Sequence, residues 1–546
     1  MMQLRRLTTR TKDCLIRPEH VLAKRWIFVF PSNLCELHAP FEVVFRKFSN
    51  EAWNGRLRLE ILEKFEIADI QKKIHEEQER RQKQLKELED ELTEDGSLLT
   101  PERKRITSLS TDELLSDIQS GKLSATTVLK AFQAAALESN KKLNCVTEFI
   151  VEAKTWAKEC DEALEEKRKA NPLHGLPFSI KENFMIKGHD VTYGIAKHLG
   201  TPSDTTSYLV QAMRNLGAIP FCRTNVPQTM IRIAWTVVAV IDRSIFCMTV
   251  VAVGGFLSRD VHTLEIVLKD FLGPAQYSLD PLMPSMPFNH EEYQKKKLKI
   301  GYYDEDGFFP ATPGCKRAVS VARKALEAAG HEMISFTPPN VALACSMLSK
   351  FIQADGGSNF IRELDGEVVD QSLDLLYKIA RMPGIMKKMM HSLVGWSSPK
   401  TAIHLEGPYL LSRDLWQGAK EKDDYVRLVV QEWKAEGLDA CILPAFPTPA
   451  QPHSYPSQLL SATSYTAIFN LLDFPVGVVP VTKEMEADQE ALKDYPTTDS
   501  VYRLVLEAMK GALGCPIGVQ VAALPWKDEV ALRVMSDIET HLSPTK

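Results

Sequence analysis

Short apolar runs alternate with capped helical patterns along most of this chain, and that alternation leaves few folds open to it. Ser110-Thr111-Asp112-Glu113 is a capping box, and Leu114, Leu115 and Ile118 follow on one helical face as far as Gly121. Ser124 caps a second helix with Val128, Leu129, Phe132 and Ala136 on its apolar side. A third helix is expected over about 148–168. Thr205 to Leu216 reads as a helix closed by Gly217, with the strand Ala218-Ile219-Pro220-Phe221 after it. In the second half, Leu298–Tyr303 is a strand, Pro313–Ala329 a helix stopped by Gly330, and Met333–Phe336 a strand. This β-α-β unit has proline at the helix start and glycine at its end, as sterics prefer. Further strands fall at Ala440–Leu443, Val476–Val481 and Gly518–Val521, with a terminal helix after Trp526. Elements in this order argue for an α/β fold, a sheet covered by helices on both faces.

One run within this pattern can carry chemistry. His174-Gly175-Leu176-Pro177-Phe178-Ser179-Ile180-Lys181-Glu182-Asn183-Phe184 reads as a turn, a buried strand, and a lysine where the strand ends. A lysine there either snorkels to water or sits in a polar site inside the fold. A solvated Lys181–Glu182 pair is the ordinary reading. A catalytic base is the other, and it needs burial: at a reference pKa near 10.4, only about 1 lysine in 2,500 is neutral at pH 7. The residues alone leave both open.

The run NPLHGLPFSIKENF, with KKLNCVTEFIVEA before it and GAIPFCRTNVPQTM after it, resembles the amidase signature family of serine hydrolases. Three blocks in the right order make the match specific. Further on, DGGSNF, LLDFPVGVVPVT and CPIGVQVAALPWKDEVALR resemble its fatty acid amide hydrolase branch. The resemblance covers about 100–231 and 257–546. It implies a mixed twisted sheet flanked by helices and the hydrolysis of fatty acid amides to fatty acid and amine. It also implies that Lys181 is the general base of a Ser–Ser–Lys triad. Met230 would offer its backbone near the substrate carbonyl, and Trp526 would lie along the acyl-chain channel; ordinary core packing is the alternative for Trp526.

The same comparison exposes a gap. The family's Gly- and Ser-rich segment, which carries both serines and the oxyanion-hole backbone, should begin a few residues after Met230. Instead the chain runs Ile231-Arg232-Ile233-Ala234-Trp235-Thr236-Val237-Val238-Ala239-Val240 and rejoins the family near Gly255-Phe256-Leu257-Ser258-Arg259. No Gly-Gly-Ser-Ser-Gly-Gly run occurs in it. Two strands, Thr236–Ile241 and Phe246–Val253, fit the replacement at about 232–254 better than a membrane span, because β-branched residues dominate and Asp242 and Arg243 interrupt it. A foreign insert is the third reading. Ser358 matches a different family block and is a poor substitute nucleophile. The rival to an active amide hydrolase is therefore a non-catalytic splice form or pseudoenzyme that binds lipid or a full-length partner.

Composition excludes other classes. A net charge of −5 over 546 residues gives no reason to expect nucleic acid. Ten cysteines without a C-x-x-C pair indicate neither a disulfide framework nor a zinc site. With no G-x-G-x-x-G, Walker A, H-E-x-x-H or EF-hand pattern, no metal and no cofactor is expected. Residues 1–98 form an N-terminal region and 99–546 the amidase-like domain. Within the first, Ile61 to Glu94 is a charged helix whose heptads are broken at Gln71, Gln78 and Arg81, more a solvated helix than a coiled coil. Trp26-Ile27-Phe28-Val29-Phe30 is too short to span a bilayer, which needs ~20 residues. Residues 382–396 form a Met-rich amphipathic helix (Met382, Ile385, Met386, Met389, Met390, Leu393, Val394, Trp396) with Lys387 and Lys388 between. It is either a core helix or, as the resemblance implies, a membrane-docking cap. The expected partners are a lipid amide and the periphery of an intracellular membrane, with a cytoplasmic location and a homo-oligomer also open.

Overall fold

The expected alternation folds into eight strands and many helices, and the strands make two sheets rather than one continuous sheet among the described residues. The computed structural model describes residues 55–230, 254–281, 283–407, 411–453 and 455–542. Trp26–Phe30 and the expected strands Thr236–Ile241 and Phe246–Val253 lie outside them. The chain divides into two units, Met1–Ile61 and Leu62–Lys546, and the contacts considered below belong to the second.

The first sheet has three strands in the order β1 (Val146–Phe149), β3 (Ile219–Thr224), β2 (Pro177–Lys181). β3 is antiparallel to β1 and parallel to β2. Pro220 has no N–H for the ladder, and the β2–β3 register shifts beside its partner Phe178. β1 corrects the expected helix over 148–168. That stretch divides into the end of β1 and the helices Ala153–Asp161 and Glu165–Ala170. The cause is tertiary, because the open edge of β3 takes Val146–Phe149 as a partner strand whatever its local helical preference.

The second sheet has five strands in the order β5 (Glu332–Ser335), β4 (Lys299–Tyr302), β6 (Ala440–Pro444), β8 (Pro516–Ala523), β7 (Val476–Lys483). β4 and β5 are parallel and joined by the helix Pro313–Ala328, so the predicted β-α-β unit is present. β8 is antiparallel to both its neighbours, which makes this sheet mixed as well. All five residues of β6 are buried, as an unbroken apolar strand with neighbours on both sides requires. Trp433 is fully buried beside this sheet, edge-on to Phe336 and Phe474, and donates its indole N–H to Leu438 O at 2.7 Å.

The capping box is formed as read, with Ser110 Oγ accepting from Glu113 N and the Glu113 carboxylate accepting from Ser110 N. The charged helix Gly55–Leu92 is not solvated all round: Leu88 and Leu92 enter the core beneath helices Pro101–Ser108 and Ala125–Leu143. Arg81 donates to Val146 O at 3.0 Å, and the Gln84 amide both accepts from Phe149 N and donates to Phe149 O. These bonds fasten that helix to β1. No helix among the described residues is long and apolar enough to cross a membrane.

Candidate functional site

The turn before β2 is fixed first. Gly175 has φ +71°, and a Cβ there would meet Ile118 Cγ2 at 2.9 Å and Ala125 Cβ at 3.0 Å, so only glycine lets the chain pass under the two capped helices. Along β2, Ile180 then points into a small apolar cluster with Ile150, Phe184 and Ile186, while Ser179 and Lys181 face the other way and are exposed. Lys181 pairs in register with Thr224 of β3. The far edge of β2 has no strand beside it among the described residues.

Lys181 and Glu182 are not a surface pair. Glu182 is buried, and its carboxylate accepts from the backbone N–H groups of Thr192 and Tyr193. It also lies 3.7 Å from Arg223. Arg223 is itself buried and donates to Glu148 Oε1 at 2.6 Å, to Asp190 O at 2.6 Å and to Glu182 O. His189 closes the network, bridging Glu148 at 3.1 Å and Glu152 at 3.2 Å. Burial alone would raise the Glu148 pKa, but hydrogen bonds from His189 and Arg223 outweigh it and hold the carboxyl at about 2. The Glu148 hydrogen bond in turn raises the His189 pKa above its ordinary 6.5. One buried ionic cluster thus ties together β1, the end of β2, β3 and the loop 189–193.

That loop also supports Met230. Tyr193 O accepts from Thr229 N at 2.9 Å, and Gly194 (φ +71°) packs so closely on Gln228 that a Cβ would meet its Cα at 2.8 Å. Gln228 is clamped from the other side, donating to Val368 O at 2.9 Å and accepting from Asp370 N at 2.7 Å. Between these clamps Thr229 and Met230 hold φ +60° and +59°. A β-branched residue in the left-handed region is strained, and such strain persists only where the surroundings over-determine it.

Lys181, Met230 and Trp526 all line one cleft of about 4170 Å³. Ligand pockets commonly measure roughly 300–1,000 Å³, so this space is several times larger than one lipid needs. Every residue of β2 lines it, as does Val476 at the start of β7. Trp526 is 54% exposed with φ +66°, which excludes core packing. Burial lowers the pKa of His404 to about 4 and pushes Asp528 up to about 6, and both line the same cleft. Lys181, though exposed at the cleft, is partly desolvated there, which lowers its pKa below the ordinary lysine value. Its ammonium has no hydrogen-bond or ion-pair partner among the described residues. Ser358 stands apart, off the cleft lining, with its hydroxyl donating to Asp355 O at 2.7 Å. No group of three or more potential metal ligands occurs among the described residues.

Helix Gly384–Ser397 walls the cleft with one face, including Lys387, Met390, His391 and Val394. Its other face is turned outward, with Ile385 77%, Leu393 70% and Trp396 96% exposed. None of its residues is buried, so the core-helix reading is excluded.

The fold is thus two mixed sheets wrapped by helices, with Lys181 at a strand end lining a cleft. An amidase family profile matches residues 127–235 and 242–532, and the chain belongs to that family. Fatty-acid amide hydrolase 1 of Sus scrofa is 31% identical over 508 residues, covering 80% of this chain and 86% of that protein. Fatty acid amide hydrolase 1 of Caenorhabditis elegans is 29% identical over 517 residues, covering 81% and 89%. A solved fatty acid amide hydrolase superposes with a TM-score of 0.66 at 21% identity, covering 82% of this chain and 87% of that one. The pig alignment draws on 80% of 546 residues, about 437, so about 70 of its 508 positions have no residue in this chain. The profile match breaks between 235 and 242, inside the stretch where the Gly- and Ser-rich run is absent.

The sequence missed the Arg223–Glu148–Glu182–His189 cluster and the Gln228 clamp. One signal was present: Arg223 is a lone charge following the apolar run Ile219-Pro220-Phe221-Cys222 in β3, and such a residue is buried only when paired.

Proposed function

We propose that this chain is a lipid-amide-binding member of the fatty acid amide hydrolase branch that does not run the branch's serine hydrolysis. One observation carries the reading: Lys181, Met230 and Trp526 line one cleft, in a chain without the Gly- and Ser-rich run after Met230. Acyl transfer through a serine needs the nucleophile, a base to take its proton, and N–H donors for the oxyanion. Of these, only the lysine base has a counterpart here. Ser179 faces the cleft on the same side as Lys181, but it is two residues back along an extended strand, roughly 6.6 Å away. The two make no hydrogen bond.

A fluorophosphonate probe should leave the purified protein unlabelled, and long-chain amide turnover should fall short of an intact relative by on the order of 10⁶ in kcat. A non-hydrolysable long-chain amide should still bind, measured by calorimetry. Labelling of any serine overturns the loss of hydrolysis, and failure to bind overturns the lipid role. The outward face of helix Gly384–Ser397 supports docking on a membrane surface, where exposed Ile385, Leu393 and Trp396 would enter the acyl boundary.

A further inference from the structure

Lys181 combines three properties that its neighbours lack together. Its ammonium has no partner among the described residues, because the adjacent carboxylate, Glu182, is turned away and held by Thr192, Tyr193 and Arg223. Its backbone is fixed by pairing with Thr224 on one side, while its side chain faces the cleft. The cleft has apolar walls, among them Phe184, Met230, Leu376, Ile379 and Trp526, and room for a long chain. An amine so placed is no longer committed to accepting a proton from a serine.

We propose that Lys181 is a covalent capture site for long-chain aldehydes. The ammonium first releases a proton to solvent. The neutral Nζ lone pair then forms a bond to the aldehyde carbon, and the carbonyl oxygen takes up a proton to give a carbinolamine. That oxygen leaves as water with the remaining N–H proton, and a C=N double bond joins Nζ to the chain. No oxidant or reductant is needed. An amide in the same place survives, because its carbonyl is a weak electrophile and its nitrogen a poor leaving group. Partial desolvation lowers the Lys181 pKa, which adds to the geometry in supporting a reactive amine.

The inference rests on the lipid-binding reading of the cleft. The test incubates the whole 546-residue protein with hexadecanal or propanal, traps imines with cyanoborohydride and maps adducts by peptide mass spectrometry. Because the apolar cleft would gather the long chain beside Nζ, Lys181 should react with hexadecanal several-fold faster than the surface Lys72, Lys420 and Lys493, whose side chains are 73%, 69% and 68% exposed. Propanal should show far less preference, and excess hexadecanamide should suppress the Lys181 adduct alone. Lys181→Arg should abolish that adduct and leave the others unchanged. Equal labelling of all lysines, or equal capture of both aldehydes at Lys181, overturns the proposal. Binding of hexadecanamide without a selective adduct overturns this inference but leaves the lipid-binding reading standing. Absence of both overturns the two together.

Discussion

β6 and β2 are both short apolar strands of five residues, and they end in opposite circumstances. β6 has β4 on one side and β8 on the other, and none of its residues is exposed. Among the described residues β2 has β3 on one side only, and its whole length lines the cleft. The larger sheet is completed by its own chain and carries the main core. The smaller sheet carries the lysine, in a chain that lacks a Gly- and Ser-rich run after Met230.

The largest effect should come from filling the gap. Replacing residues 231–253 by the corresponding segment of the pig relative should give β2 a neighbour. It should restore fluorophosphonate labelling, raise kcat by on the order of 10⁶, and raise the melting temperature in the same protein. Labelling without a gain in melting temperature would break the link between the open edge and the missing chemistry.

Matched core truncations sharpen the comparison. Ile442→Ala in β6 and Ile180→Ala in β2 remove the same atoms from sites that are 0% and 5% exposed. Such changes cost roughly 2–5 kcal/mol, depending on how far the site can collapse. Ile442 should fall near the top of that range and Ile180 near the bottom, because the cluster around Ile180 is small and borders the cleft. Equal losses in urea midpoints would mean that the open edge does not loosen its sheet.

Acid and alkali should weaken the smaller sheet from opposite directions. Glu148, which faces His189, Arg223 and Arg80, has a folded pKa of about 2, below its ordinary 4.5. Its contribution, about 3 kcal/mol, is present above pH 4.5 and lost as pH falls towards 2. His189 lies between Glu148 and Glu152 with its pKa raised above 6.5, so its contribution is complete below pH 6.5 and lost as pH rises through the folded value. Stability should therefore be greatest between about pH 4.5 and 6.5. Glu148→Gln should flatten the acid limb and His189→Gln the alkaline limb, read as melting temperature against pH.

The smallest change in stability should come from the outward face of helix Gly384–Ser397. Ile385→Ser with Leu393→Ser should move stability within about 0.5 kcal/mol, since neither side chain is buried. Co-sedimentation with phosphatidylcholine–phosphatidylserine vesicles should nonetheless fall. Unchanged sedimentation would remove membrane docking from the reading.

Much of the fold is legible in short stretches of residues. The capping box at Ser110, the β4–helix–β5 unit, the strand ending in Lys181 and the absence of a Gly- and Ser-rich run all follow from local sequence. They depend on side-chain sterics, hydrogen bonds three residues apart and the period of apolar residues, which act within one element. Other features belong to tertiary structure alone. Val146–Phe149 became a strand because β3 offered an edge, and Lys181 and Glu182 parted because a strand sends successive side chains to opposite faces. Arg223 found Glu148 75 residues away, and Thr229 and Met230 hold their strained turn because Tyr193 binds Thr229 on one side while Val368 and Asp370 hold Gln228 on the other. Which face of the 384–397 helix meets the cleft was likewise set by its neighbours. Local sequence dictates which elements form, since their bonds are short in range; which strands pair, and which charges meet, depends on residues far apart in the chain.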